Sequence, residues 1–434
     1  PETFINNVFM LMPGHCMTIN ASGINIERYW HIVENTDFSS EGKSYENVCA
    51  DINKLFYDAV SRRLISDVPF GAFLSGGIDS SAVVGAMSRI HSQPVKTFTI
   101  AFDESEFSEA KFAKLIADKY QTDHHEFLLK PEDFLNLLPE AMNALDHPSG
   151  DGPNSYIVSK ITRQAGVTMA LSGLGGDELF AGYPVFKRTE LLHQKSWLWK
   201  LPLPLRHLLG KLITTLKKDT ASIKMQQLLL SPNASLQYSF PVSRQISNTQ
   251  QLAAFIEEKF NGIDAVKSII EELNKSTVRL PLFSQVSAAE ISSYMQNVLL
   301  RDTDQMSMAV ALEVRVPFLD YKLVEYVMGV KDEYKNPVYP KKLLVDSLGD
   351  LLPDEVVHRK KMGFVFPWER WLKKELSTFC GDRIYALANR GFMNKEALTN
   401  RWQSFNEGKP GVRWLDMWLC VVLEHWLEKN NIEY

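Results

Sequence analysis

Val68-Pro69-Phe70-Gly71-Ala72-Phe73-Leu74-Ser75-Gly76-Gly77-Ile78-Asp79-Ser80-Ser81 is the stretch on which the reading of the fold turns. Its first half is short and apolar, as a strand buried on both faces would be, and it stops at Ser75-Gly76-Gly77. From Ser80 to about Ile90 the pattern is helical, with Ala82, Val83, Ala86 and Met87 on one side. A strand that runs through glycines into a helix start makes an anion cradle. The glycines let the backbone come close, and the first N–H groups of the helix face the charge. Ser75, Ser80 and Ser81 add hydroxyl donors. This is not a Walker A loop, because no lysine follows the glycines. The plain alternative is a tight turn in which Asp79 or Ser80 only caps the helix.

Outward from this loop, apolar residues at helical spacing predict a helix over 45–64, before the strand. After it come strands at 95–102 and 125–129, helices over 109–120, from Pro131 and over 155–165, and a short apolar strand at 168–172. Strands alternating with helices predict an α/β fold, a parallel sheet with helices on both faces. Beyond about Tyr183 the strand signal fades. The stretches 284–300 and 415–427 keep a helical period, so a helical lobe is expected to pack on the sheet. Lys217-Lys218 and Lys341-Lys342 read as solvated basic pairs. At the other end, residues 15–19 and 24–26 read as strands around a turn at 20–23. A lone hairpin is marginal in water, so a larger sheet is expected to have held it. The polar segment 35–43 suits a linker.

Leu171-Ser172-Gly173-Leu174-Gly175-Gly176-Asp177-Glu178 repeats the glycine device at the end of another strand. Ligands in open α/β sheets bind at the carboxyl ends of strands, so the two loops would set Asp79 and Asp177 across one crevice. Two carboxylates beside polyphosphate suit Mg²⁺, which takes few protein oxygens. The alternative is that Asp177 and Glu178 cap a helix.

Composition narrows the classes. The chain has 434 residues, 45% hydrophobic and 23% charged, which is ordinary globular usage with room for two or three domains. Against 52 acidic residues stand 47 Lys and Arg, a net charge of −5, so no nucleic-acid partner is expected. Its 4 cysteines form no CxxC pattern, which argues against a disulfide scaffold or zinc ribbon and for a reducing, cytoplasmic setting. No apolar run approaches the roughly 18 residues of a membrane span, and no membrane partner is expected. The chain opens on Pro1 without an initiator Met and is read as a piece of something longer.

The 75–80 loop resembles the SGGxDS loop of the N-type (PP-loop) ATP pyrophosphatases. Together with SGLGGDELFAGY at 172–183, it resembles the synthetase domain of glutamine-dependent asparagine synthetases. Residues 297–308, 312–320 (Leu-Glu-Val-Arg-Val-Pro-Phe-Leu-Asp) and 358–364 (His-Arg-Lys-Lys-Met-Gly-Phe) match the same family in the same order. Residues 1–30, with Pro13-Gly14-His15 and Arg28-Tyr29-Trp30, look like the tail of its glutaminase domain. The resemblance therefore implies two parts, a remnant over 1–35 and a synthetase domain over 36–434.

What the resemblance implies is an AMP-forming amide ligase. A carboxylate, aspartate in the family, attacks the α-phosphorus of ATP and releases pyrophosphate; ammonia then displaces AMP. Ser75, Gly76, Gly77, Asp79 and Ser80 would hold pyrophosphate, and Asp79 and Asp177 would bind Mg²⁺. Phe73, Leu74 and Ile100 would frame adenine, with Ser172 and Gly173 on the nucleotide. Lys361 would face the α-phosphate, its alternative being a surface lysine. Glu313 and Arg315 are either an ion pair or a binding pair for the acceptor. Two departures stand out. Leu174 replaces the usual Glu, so the amine step falls to another group such as Glu178. The glutaminase nucleophile, an amino-terminal cysteine, is not in this sequence, so ammonia is expected free or from a glutaminase domain absent here. A homodimer is the candidate assembly. The runners-up are a ligase acting on another carboxylate and a nucleotide-binding scaffold without chemistry.

Overall fold

Strands β1 (His15–Asn20) and β2 (Gly23–Arg28) pair antiparallel with Asn20 opposite Gly23, and all their residues except His15 are exposed. The computed structural model describes every residue except 1, 2, 4, 102–108, 218, 248, 257–264, 275–278, 360–366, 410, 433 and 434. The segment read as a linker is docked on the body. Trp30 Nε1 donates to Glu325 Oε1 at 2.6 Å, Asp37 N–H donates to Glu325 O at 2.9 Å, and Ile32 and Val33 are buried.

Helix α1 (Tyr45–Arg63) buries Val48, Ile52, Phe56, Ala59 and Val60, one stripe at helical spacing, and the Ser44 side chain caps its start. Then come β3 (Phe70–Phe73), α2 (Ile78–Ile90), β4 (Lys96–Ala101), α3 (Ala110–Tyr120), β5 (Asp123–Leu128), α4 (Pro131–Ala144), α5 (Gly152–Gln164) and β6 (Met169–Leu171). These are the elements the sequence predicts, with ends moved by up to three residues. The short helix α6 (Gly176–Leu179) follows the second glycine loop.

All strand pairs in the sheet are parallel, in the order β5-β4-β3-β6-β7. Strand β7 (Glu313–Arg315) comes from the region expected to be wholly helical. Three residues are too few to show a period of two, and only the edge of β6 makes this segment a strand. Both sheet faces are apolar, as a covered parallel sheet requires. Ala72, Met169 and Leu171 join the core of α1 and α2, while Phe98 and Ala170 face the other way with Phe73, Leu312 and Val314. A further core gathers α4 and α5 with Trp368, Trp371 and Trp418, where Phe134 packs 4.7 Å from Trp371 and Trp368 packs 4.4 Å from Trp418, centroid to centroid.

The predicted helix over 284–300 belongs to a longer helical run, Leu282–Glu290 and Leu300–Met308 joined by a wide π-type stretch, Ile291–Leu299. Such wide turns recur at functional sites. Its first turn is capped from a distance: Asp332 accepts from Leu282 and Phe283 N–H at 2.8 and 2.9 Å. Lys335, 3% exposed, donates to Ser284 Oγ at 2.5 Å. Burial pushes its pKa down to about 7, with Asp332 pulling the other way. The unfolded chain then holds the extra proton between about pH 7 and 10, so stability rises with pH across that window. Lys335→Met should remove up to about 1.4 kcal/mol of that rise per pH unit. Urea midpoints of both proteins at neutral pH and at a pH two units higher check this.

Candidate active site

Strand β3 hands the chain to its loop through Leu74, whose N–H donates to Phe98 O at 2.8 Å and whose carbonyl accepts from Thr99 Oγ1. The loop is closed by serines. Ser75 N–H donates to Ser80 Oγ at 3.2 Å, the two hydroxyls are 3.0 Å apart, and Ser80 Oγ donates to Gly77 O at 3.2 Å. Gly76 has φ +68°, and a Cβ there would stand 2.5 Å from Ala113 N at the start of α3. Gly77 is the N-cap of α2 and makes no side-chain capping bond, and Asp79 lies in the first turn. Asp79 does not cap its helix; it reaches across to the second loop.

That second loop is hung on the sheet edge, with Ser172 N–H donating to Arg315 O at 2.9 Å. Its glycines press on the first. A Cβ on Gly173 would lie 2.7 Å from Ser80 N, and one on Gly176 would lie 2.5 Å from Asp79 Cγ. With the loops in contact, Asp79 and Asp177 converge on one cation, Lys341, which contacts Asp79 Oδ2 and lies 2.8 Å from Asp177 Oδ1. Lys341 is 4% exposed, which corrects the reading of Lys341-Lys342 as solvated surface. The physical reason is the backbone: Lys341 sits at φ 55°, turning the chain into the helix Lys342–Leu348. Burial alone would lower its pKa, but the two carboxylates outweigh burial and hold the ammonium above the usual lysine range. Lys342 points elsewhere, donating to Tyr45 Oη at 2.6 Å and Asp346 Oδ2 at 2.8 Å.

The loops open on a cavity of about 630 Å³. Phe73, Leu74, Ser75, Gly77, Asp79 and Ser80 line it from β3 and α2, Ile100 from β4, and Ser172, Gly173, Asp177 and Glu178 from the second loop. Gly76 backs the loop against α3 instead. Glu178, 1% exposed, accepts from Tyr183 Oη at 2.7 Å; burial first, and then Asp177, raise its pKa to about 7 against that hydrogen bond. Lys361 lies outside the described residues. Arg315 is not among the residues that line the cavity. Its guanidinium pairs with Glu313 at 2.7 Å and donates to Arg63 O and Ile65 O at 2.9 and 2.8 Å. The ion-pair alternative holds, because strand β7 turns this side chain toward the end of α1.

Other lining residues carry charge that the sequence reading had not singled out. Arg359, 8% exposed at its side chain, pairs with Glu109 at 2.5 Å and covers the Phe112 ring at 4.8 Å. Its Nη1 is buried with no hydrogen-bond partner among the described residues. A buried guanidinium with a spare donor, beside a glycine loop, is a place for an anion. On another part of the lining stand Asp151, Asn154, Tyr294 and Asp302. Asp302, 2% exposed, accepts from Ser149 Oγ at 2.5 Å and lies 3.3 Å from His147 Nε2. Burial and then Asp302 raise the pKa of Asp151. Arg359 and Asp302 fall inside stretches quoted for the resemblance, but their neighbours give no signal of burial.

Two substitutions test this geometry. Gly173→Ala should lower the melting temperature and remove nucleotide binding, since its Cβ meets main chain that has no room to move. Lys341→Met should cost on the order of 1–3 kcal/mol by removing the buried ammonium that the half-buried Asp79 and Asp177 both contact. Those carboxyl pKa values then rise above their unfolded values, so the deficit should shrink as pH falls and as Mg²⁺ is added. Melting curves at pH 8 and pH 5, with and without Mg²⁺, check the sign.

The family model described as asparagine synthase matches residues 51–428. Asparagine synthetase [glutamine-hydrolyzing] 1 of Bacillus subtilis (strain 168) is 28% identical over 403 residues, covering 91% of this chain and 61% of the relative. A putative asparagine synthetase [glutamine-hydrolyzing] 2 of Methanocaldococcus jannaschii is 36% identical over 239 residues, 53% of this chain and 43% of the relative. The amidase chyE of Penicillium rubens is 26% identical over 405 residues, 85% of this chain and 60% of the relative. The chain thus spans about half to three fifths of the length of the curated relatives it matches. Since the family match runs through both glycine loops and the helices that return to them, the chain belongs to the asparagine synthase family.

Proposed function

We propose that this protein is an ATP-dependent, AMP-forming amide ligase. The observation that carries the reading is the meeting of two glycine loops at neighbouring strand ends, with Asp79 and Asp177 on one buried ammonium and, nearby, Arg359 Nη1 without a hydrogen-bond partner among the described residues. In the first step a carboxylate oxygen bonds to the α-phosphorus of ATP and the bond to pyrophosphate breaks. In the second, an amine nitrogen bonds to the acyl carbon, AMP leaves with the electron pair, and the nitrogen gives up a proton.

The residues present fit Mg²⁺: Asp79 and Asp177 both reach the Lys341 ammonium at the phosphate loops, and one or two carboxylates are what that metal takes beside phosphate. Asp79 and Asp177 would hold Mg²⁺, which would supply positive charge against polyphosphate. The remaining work falls to the chain's own groups. The 75–80 loop and the start of α2 hold the leaving pyrophosphate through N–H and hydroxyl donors. Lys341 and Arg359 offset the charge that builds there, fixed in place before the reaction by Asp177 and Glu109. Phe73, Leu74 and Ile100 frame the base, and Lys361 is assigned the α-phosphate. Leu174 can take no proton, so Glu178, oriented by Tyr183 Oη, is assigned the proton of the amine. The relatives named as glutamine-hydrolysing support glutamine as the ammonia source, through a domain seated on the exposed β1–β2 hairpin.

For the acceptor, aspartate is the first reading and a different carboxylate is the second. The second is favoured by Leu174 and by the lining itself. Asp151 and Asp302 stand on it, while the cationic residues among the described lining are Lys341 and Arg359, both occupied at the phosphate loops. A second carboxylate on the acceptor would meet like charge there. A relative named as an amidase is consistent with it.

Pyrophosphate release from MgATP, with aspartate and with other carboxylates, each with and without ammonium, decides between them. Release with aspartate and asparagine formed only with ammonium establishes the first reading; release with another carboxylate establishes the second. Inorganic phosphate in place of pyrophosphate would overturn both. Arg359→Gln should raise KM for ATP roughly tenfold or more, the worth of a hydrogen bond to a charged group.

A further inference from the structure

Between Glu190 and Asp219 the chain carries no acidic residue, although it has 52 of them, and it carries Lys195, Lys200, Arg206, Lys211, Lys217 and Lys218. In a chain of net charge −5 this is a local reversal of sign. The segment includes the helix Leu203–Leu216, which lies against the helix Thr220–Leu230. Its inward face is set by Arg206, 7% exposed, which donates to Leu229 O and Ser231 O at 2.8 Å each, and by Gly210, where a Cβ would lie 2.9 Å from Gln226 Cγ.

With that face committed, another points to solvent. Leu205, Leu208, Leu212 and Leu216 are 41%, 63%, 55% and 75% exposed. At 100° per residue they fall within an arc of roughly 80°, a single stripe. Trp197, 57% exposed, stands just before the helix, while Trp199 is held back by its bond to Ser231 Oγ at 3.2 Å. Lys195, Lys200, Lys211 and Lys217, close to the stripe in sequence, are all exposed. Scattered surface leucines need no explanation, but four in register on one helix do.

We propose, against the expectation of no membrane partner, that this face lies on an anionic lipid bilayer, with the leucine stripe in the headgroup boundary and the nearby lysines on lipid phosphates. Three arguments select that occupant. A leucine stripe on one helix, with an exposed tryptophan and lysines close by in sequence, is the composition of a helix lying in a membrane interface. Lysine stems bury along apolar surface while their ammonium groups reach the phosphates. Protein interfaces are depleted in lysine, and a second copy of this chain would bring an identical positive patch against this one. No described helix is long and apolar enough to cross a membrane, and none is required for a chain that rests on its surface.

The test is sedimentation of the full chain with sucrose-loaded vesicles of phosphatidylcholine and phosphatidylglycerol, two to one, and with phosphatidylcholine alone. The protein should sediment with the mixed vesicles, weakly with the neutral ones, and less as salt rises. Leu208→Ser with Leu212→Ser should lower binding at least tenfold, and Lys195→Glu or Lys211→Glu at least fivefold each. These residues are exposed, so far-UV circular dichroism should be unchanged, and the paired leucine variant guards against binding through the β1–β2 hairpin. Equal sedimentation of the wild type and the leucine variant overturns the proposal. So does a wild-type dimer that the leucine variant converts to monomer, or capture of a protein partner without any binding to the mixed vesicles.

Discussion

Contact between two glycine loops is the constraint on which the site depends. Gly173 and Gly176 lie so close to Ser80 and Asp79 that a single methyl group would collide with main chain or with the carboxylate. This closeness lets an aspartate from the end of β3 and one from the end of β6 reach the same ammonium. Strand spacing alone would leave them apart, since neighbouring strands stand about 4.8 Å from each other and loops ordinarily diverge from there. Removing side chains where the loops meet is what allows convergence.

The rest of the architecture keeps that contact rigid. Both sheet faces are covered, by the core of α1 and α2 on one side and by Phe98, Leu312 and Val314 on the other. The fifth strand, distant in sequence, fastens the second loop through the Arg315 carbonyl. Lys341 arrives from within the helical region, distant in sequence from both loops, and Arg359 follows it. The polar groups are divided between the phosphate loops, where the lining cations sit, and the stretch of Asp151 and Asp302, where carboxylates do. Charge is divided on the exterior as well, in a lysine-flanked leucine helix that the core does not use.

Much of this was legible in advance. The strand–loop–helix unit at 68–81 and its echo at 171–178 read as anion-binding turns, and the residues predicted around them line a single cavity, apart from Gly76 behind its loop. What misled was local context. Lys341 next to Lys342 looks like surface, and Glu313 with Arg315 looks like a working pair. Neither impression reflects the tertiary neighbours that decide the matter: Asp79 and Asp177 in one case, the edge of β6 and the carbonyls ending α1 in the other.

The sequence by itself determined the α/β class, the two glycine turns and the family, because each depends on periodicity or on residues adjacent in the chain. Such features are written by local sterics: where a glycine permits close approach, where apolar residues repeat by two or by three and four. Only the tertiary structure decided which lysine sits between the aspartates, that Arg315 faces away from the cavity, and that a stripe of leucines is left uncovered. The first two depend on partners more than a hundred residues away and the third on how its helix packs, and the energy of a charge is set by its surroundings, which no short window of sequence contains.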